Sequence, residues 1–264
     1  MAVVVLASAS GSPGVTTSAL GLALAWARPA LLVEADPTGG SAILAGYFRG
    51  DAAHADGLID VAWAHREGSL AEALSSLSMP VPNTSVSLLT GARGHTQARS
   101  LTSLWEPLAV ALKALERSGQ DVIVDAGRLG LANSPESLIY GADVALLTVR
   151  SDLVAVSGAR SWAETLRSGF DAIGSQQRFG VLLVGEGRPY SSRNVAKVLG
   201  VPVVASLAWD EKSAAVLSHG TRPARRFDGA ALPRSLRAAG ASLESALALS
   251  RDALDGTSVS GASR

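Results

Sequence analysis

Short apolar runs recur along the chain at Val3–Ala7, Ala30–Glu34, Val86–Leu89, Val122–Asp125, Val144–Val149, Val181–Val184 and Val203–Leu207. They are apolar at consecutive rather than alternate positions. That pattern suits strands covered on both faces. Longer amphipathic stretches lie between most of them and predict helices at Gly14–Trp26, Ser69–Leu77, Leu101–Ser118, Leu153–Arg167, Ser192–Leu199, Glu211–Ser218 and Leu232–Leu254. Strands alternating with helices predict an α/β fold, a mostly parallel twisted sheet with helices on both faces. Residues 47–68 and 78–100 are richer in Gly, Pro, His and Arg and read as surface insertions. No internal repeat or composition break divides the chain. One domain over residues 1–255 is expected, followed by a flexible Gly/Ser-rich tail over 256–264.

Parallel sheets bind ligands at the carboxyl ends of their strands, so the polar residues after each run are the candidates for chemistry. After the first strand the chain reads Ser10-Gly11-Ser12-Pro13-Gly14-Val15-Thr16-Thr17 and enters a helix. Strand, glycine turn and helix in this order make a P-loop, whose backbone N–H groups cradle phosphate at the positive end of a helix dipole. Gly11 and Gly14 supply the turn and Pro13 stiffens it. Thr16 is placed to bind Mg²⁺ and Thr17 to reach an α-phosphate. Val15, however, stands where a P-loop carries its lysine. The chain's lysines are Lys113, Lys197 and Lys212, all far from the loop in sequence.

Two further strands end in carboxylates. Ala30–Val33 runs into Glu34-Ala35-Asp36-Pro37-Thr38-Gly39, and Val122–Val124 into Asp125-Ala126-Gly127-Arg128. In a parallel sheet both ends fall beside the P-loop. Asp125 there suits a Mg²⁺ shell, Asp36 the positioning of a water or the metal shell, and the Gly127 amide a γ-phosphate. A single Asp at a strand end is commonly a cap or turn residue. Two of them beside a glycine loop shift the balance towards a nucleotide site.

Composition narrows the choice of function. Apolar residues make up 47% and charged residues 17% of the 264, as in a globular protein. With 23 basic and 23 acidic residues the formal charge is +0, so global charge argues for neither nucleic acid nor an anionic membrane. Cysteine is absent, which excludes disulfides, thiolate catalysis and Cys metal sites. His54, His65, His95 and His219 lack metal-ligand spacing. There is no basic leader and no apolar run of about 18 residues, so the expected location is the cytoplasm.

Taken together, Ser10–Thr17, Glu34–Gly39 and Asp121–Gly127 resemble the Walker A, switch I and Walker B/switch II motifs of the MinD/ParA (SIMIBI deviant-Walker P-loop) family. Gly141–Val149 and Leu199–Asp210 match later family segments, and the resemblance covers roughly residues 1–250. Within the family it is nearest the TadZ/CpaE-like and septum-site-determining branch, whose members often carry degenerate loops and act as localisation factors. The resemblance implies a P-loop NTPase-like fold. It implies ATP and Mg²⁺ as cofactors, held by Gly11, Ser12, Pro13, Gly14, Val15, Thr16, Thr17 and Gly127, with Thr16, Asp36 and Asp125 around the metal. Asp36 would be the catalytic residue if the site is active. The resemblance also implies a homodimer and a protein partner from a secretion, division or partition system.

Both family lysines are replaced, the signature one by Ser10 and the second by Val15, and Gly185 stands about where the family commonly has an Asn that reads adenine. Arg128 and Arg150 are the candidates for a substitute cation. Three readings follow. The leading one is a localisation or assembly scaffold with weak or no nucleotide hydrolysis. The others are an active ATPase switch using a substitute cation or partner, and an interaction module without ligand. The helix from Leu232 reads as packed on the sheet rather than as a membrane anchor, so membrane contact is expected to be peripheral at most. Arg222-Pro223-Ala224-Arg225-Arg226 reads as a solvated basic loop and no strong nucleic-acid signal.

Overall fold

The structure, a computed structural model, describes residues 2–10, 14–54, 57–115 and 119–259, with side chains as far as residue 248. In chain order the elements are β1 (Val3–Ser8), α1 (Val15–Ala25), β2 (Ala30–Glu34), α2 (Ala42–Ala45), α3 (Leu58–Arg66), α4 (Leu70–Ser76), β3 (Met79–Pro80), β4 (Val86–Leu89), α5 (His95–Ala98), α6 (Trp105–Ala114), β5 (Asp121–Arg128), α7 (Glu136–Gly141), β6 (Val144–Arg150), α8 (Leu153–Ala172), β7 (Phe179–Val184), α9 (Ser192–Leu199), β8 (Val203–Leu207), α10 (Glu211–His219) and α11 (Ala231–Val259). Among the described residues eight strands form one sheet in the order β3-β4-β2-β5-β1-β6-β7-β8. Every ladder is parallel except the short pairing of β3 with β4.

The consecutive apolar runs are explained by a core on each side of the sheet. Val3, Val5 and Ala7 of β1 enter the layer built with α3, α4, α6, α7, α8 and α9. Val4 and Leu6 enter the opposite layer, built with α1, α2, α10 and α11. A strand with apolar residues pointing both ways must be covered on both faces. β1, β5 and β6 lie at the centre, so the loop after β1 and the carboxylate of β5 emerge side by side.

Each predicted strand is present, and the segments read as insertions carry more order than expected. Residues 57–66 supply α3, whose Leu58 and Val61 are fully buried. Met79–Pro80 adds an edge strand, a place where proline's missing N–H costs nothing. Helix α6 is shorter than expected, being preceded by a 3₁₀ turn at Arg99–Leu101, and the 116–118 end of that expectation lies outside the described residues. Helix α8 runs past Arg167 to Ala172, because Phe170 is fully buried and stacks on Phe179, with ring centroids 5.5 Å apart. Leu232, Leu236, Leu243 and Leu247 of α11 are buried against α1 and β8, so this apolar face is already occupied. Residues 260–264 of the expected tail lie outside the described residues. Among the described residues no helix is long and apolar enough to cross a membrane.

A buried carboxylate holds the start of β1. Asp121 accepts the Ala2 amide at 2.6 Å and the Trp26 indole N–H at 2.8 Å, with Arg28 at 3.6 Å. Asp143 accepts the next amide, that of Val3, at 2.8 Å. Strand β1, strand β5 and the end of α1 are thereby joined at the edge opposite the candidate site. Trp26→Phe keeps an aromatic ring, though a smaller one, and strips one donor from a buried carboxylate. It is expected to lower unfolding stability by about 1–3 kcal/mol, read from the urea midpoint at constant slope.

Candidate nucleotide site

Gly11, Ser12 and Pro13 lie outside the described residues. The loop is entered from Ser8, the last residue of β1, and left through Gly14, whose φ of 89° is left-handed and suits glycine. The Gly14 carbonyl accepts the Ser18 amide at 2.8 Å and so starts α1. Val15 is only 6% exposed and packs with Val4, Leu6 and Ala19 in the core beneath the helix. The residue standing in the lysine position thus points its methyl groups into the protein. Thr16 and Thr17, half-buried, occupy the first turn beside it.

Asp125 is the hub of the site. It is 1% exposed, accepts the Gly127 amide at 3.0 Å, and takes a hydrogen bond from the Thr16 hydroxyl. Its carbonyl accepts the Ala35 amide at 2.8 Å, which sets the residue before Asp36. The register between β1 and β5 slips here, with Leu6 opposite Asp125 but Ser8 opposite Arg128. The extra residue makes a bulge, a common device for re-aiming a strand next to a site. Gly127 sits in it with φ 63°, and the Asp36 carboxylate covers it so closely that any side chain there would collide with Asp36. Asp36 also accepts the Thr38 amide at 2.8 Å.

The sequence therefore brings Thr16, Asp36, Asp125 and Gly127 together, as expected. Glu34, opposite Asp125 in the ladder, joins them. It accepts Ser41 Oγ at 2.5 Å and the Ile43 amide at 3.3 Å, fastening α2 to the end of β2. Burial pushes the Glu34 carboxyl up from 4.5 to about 7, offset in part by Ser41 and Ile43 and reinforced by the Asp125 charge. Burial pushes Asp125 from 3.8 to about 6, with Thr16 and Gly127 opposing and the Asp36 charge adding to the rise. Among the described residues no group of three His, Cys, Asp or Glu side chains is placed to hold a metal ion.

Beside the first turn of α1 a cavity of about 340 Å³ opens, lined among others by Gly14, Thr17, Ser18, Arg150 and Trp209. Its floor comes from the ends of β7 and β8, and its outer wall from α10. The Arg150 guanidinium lies 4.9 Å from the centre of the Trp209 ring, and Arg188 lies 5.8 Å from it. The Trp209 N–H donates to Glu211 at 3.0 Å, while Asp210 caps α10 by accepting the Ser213 amide at 3.1 Å. Of the two arginines considered from sequence, Arg150 faces this cavity and Arg128 is exposed at the end of β5. Sequence reasoning missed Trp209. Its only signal was a tryptophan just ahead of a helix cap, which gives no hint of a partner 59 residues away.

The raised carboxyl groups fix the direction of pH dependence. Between its free and folded values each group is protonated in the native state and ionised in the unfolded one. Their stabilisation is complete below about pH 4 and lost as pH rises through about 6 for Asp125 and about 7 for Glu34. In divalent-free buffer the melting temperature is expected to fall from about pH 5 to about pH 8, and Glu34→Gln to flatten the upper part of that fall. A melting temperature rising over this range would contradict the assignment.

No family model matches the chain, and no curated protein matches it. Solved structures do. The septum site-determining protein MinD complexed with Mg-ADP from Pyrococcus horikoshii is 16% identical, covering 90% of this chain and 94% of that one, with a TM-score of 0.67. A ParA family ATPase from Chlorobium tepidum is 15% identical over 90% and 97%, with a TM-score of 0.70. A chain of the MinC:MinD cell division protein complex of Aquifex aeolicus is 14% identical over 93% and 96%, also at 0.70. Nearly whole chains superpose at identities this low, and the structure thus has the P-loop fold shared by MinD and the ParA-family ATPases.

Proposed function

We propose that the chain is a positioning or assembly scaffold built on the MinD/ParA fold, which binds nucleotide weakly and hydrolyses it slowly or not at all. The observation that carries the reading is Val15. The frame of a phosphate site is kept in Gly14, Thr16, Asp125, Gly127 and Asp36, while the residue in the lysine position is buried among core side chains. Ser10 likewise replaces the other family lysine. Each absent charge-assisted hydrogen bond costs roughly 1.5–3 kcal/mol in binding. The loss is larger in a phosphoryl-transfer transition state, which depends on charge stabilisation.

ATP with Mg²⁺ is the proposed ligand. The loop Gly11–Thr17 would face the phosphates, the Thr16 hydroxyl would coordinate the metal, and Asp125 and Asp36 would act through its water shell. The MinD relative with Mg-ADP and the MinC:MinD complex support a nucleotide and a protein partner respectively. We assign residues 1–255 to one domain that dimerises through the P-loop face and works with a secretion, division or partition partner. Leu153 and Val154, 65% and 83% exposed at the start of α8, lie at that same edge of the sheet and suit such a contact. The second reading, an active switch with a substitute cation, is favoured by the retention of Asp36 against Gly127.

Calorimetry with Mg-ATP and a steady-state phosphate-release assay test the proposal. Expected are binding that Thr16→Ala removes and turnover at buffer background that Asp36→Ala leaves unchanged, with melting curves confirming that both variants fold. A rate well above background that Asp36→Ala abolishes would establish the switch instead.

A further inference from the structure

Strand β6 carries two unused donors on one face. Val144 and Leu146 point into the layer beneath α1, so Thr148 and Arg150, two and four residues beyond Leu146, share that side. The Thr148 hydroxyl and the Arg150 Nε are both buried without a hydrogen-bond partner, and Thr148 is 1% exposed. Buried polar atoms are nearly always bonded, so an orphan on a residue that lines a cavity, as Arg150 does, points to an occupant. Arg150 is half-buried, lines the 340 Å³ cavity with Gly14, Thr17 and Ser18, and lies over the Trp209 ring. With its guanidinium carbon 4.9 Å from the centre of the Trp209 ring, Arg150 brings to the cavity a planar fork of donors of the kind that grips phosphate with two hydrogen bonds. Trp209 is itself held by Glu211, so the cation is pre-oriented.

We infer that Arg150 is the cation that replaces the missing loop lysine, binding a phosphate of a nucleotide whose planar ring occupies the Trp209-walled cavity. The inference rests on the nucleotide reading above and deepens it. It departs from an ordinary P-loop because the charge comes from the end of β6, across the cavity from the first turn of α1, rather than from the loop. A single guanidinium so placed favours ground-state binding of a diphosphate over catalysis of γ-phosphoryl transfer.

The probes are ADP and inorganic pyrophosphate, titrated by calorimetry into the full chain without divalent cation. Arg150→Ala is expected to weaken ADP binding about ten- to a hundred-fold and to remove pyrophosphate binding. Arg188→Ala, which touches the same ring from an exposed position, should leave both within twofold. Quenching of tryptophan fluorescence by ADP should disappear in Trp209→Phe. If Arg150→Ala fails to fold, Arg150→Gln carries the same expectation. ADP binding that is unchanged in a folded Arg150 variant would overturn the inference and leave the nucleotide reading standing. No binding of either probe to the native chain at millimolar concentration would overturn both.

Discussion

Asp125 is the constraint on which the site depends. A carboxylate this deep is tolerated only when its oxygens are bonded, and here the bonds are spread over different elements. The Gly127 amide comes from the bulge in its own strand, and Thr16 from the first turn of α1. The neighbouring backbone bond to Ala35 brings in the loop after β2. Helix, bulge and acidic loop are therefore tied to one buried group. The geometry follows from strand order, since β5 lies between β1 and β2 and its carboxyl end meets both.

What distinguishes the site is the balance of charge. Glu34, Asp36 and Asp125 converge, while the lysine that would ordinarily sit among such groups is replaced by the buried Val15. Burial, with a smaller contribution from the neighbouring carboxylate charge, pushes the Glu34 and Asp125 carboxyl groups towards neutral pH. A chain that had shed its ligand altogether would be under no physical requirement to keep Asp36 pressed against Gly127.

Much of this was legible from sequence, for a physical reason. Strands buried on both faces write themselves as unbroken apolar runs, so β1, β2, β4 to β8 and the carboxyl-end residues Asp36 and Asp125 could all be placed. Their place beside the P-loop followed from parallel topology. Short elements were not legible. Helix α3 buries only Leu58 and Val61, too few for a period to show, and β3 is two residues long. The inward turn of Val15 depends on packing under α1, and the Arg150–Trp209 contact joins positions far apart in the chain. Neither leaves a local pattern.

The inferred role of Arg150 bears on how the proposed phosphate site would work without a loop lysine. The loop's amides and helix dipole act on any phosphate that reaches them, and they supply part of the binding without a side-chain charge. In the inferred arrangement a cation at the end of β6, on the cavity side of α1, would add to that. A site of this construction would separate occupancy from turnover. Occupancy alone can bias a two-state surface if the ligand binds one state better, and the bias then lasts as long as the nucleotide stays bound. Under the proposed scaffold reading, slow release would serve in the role that hydrolysis plays in a switch.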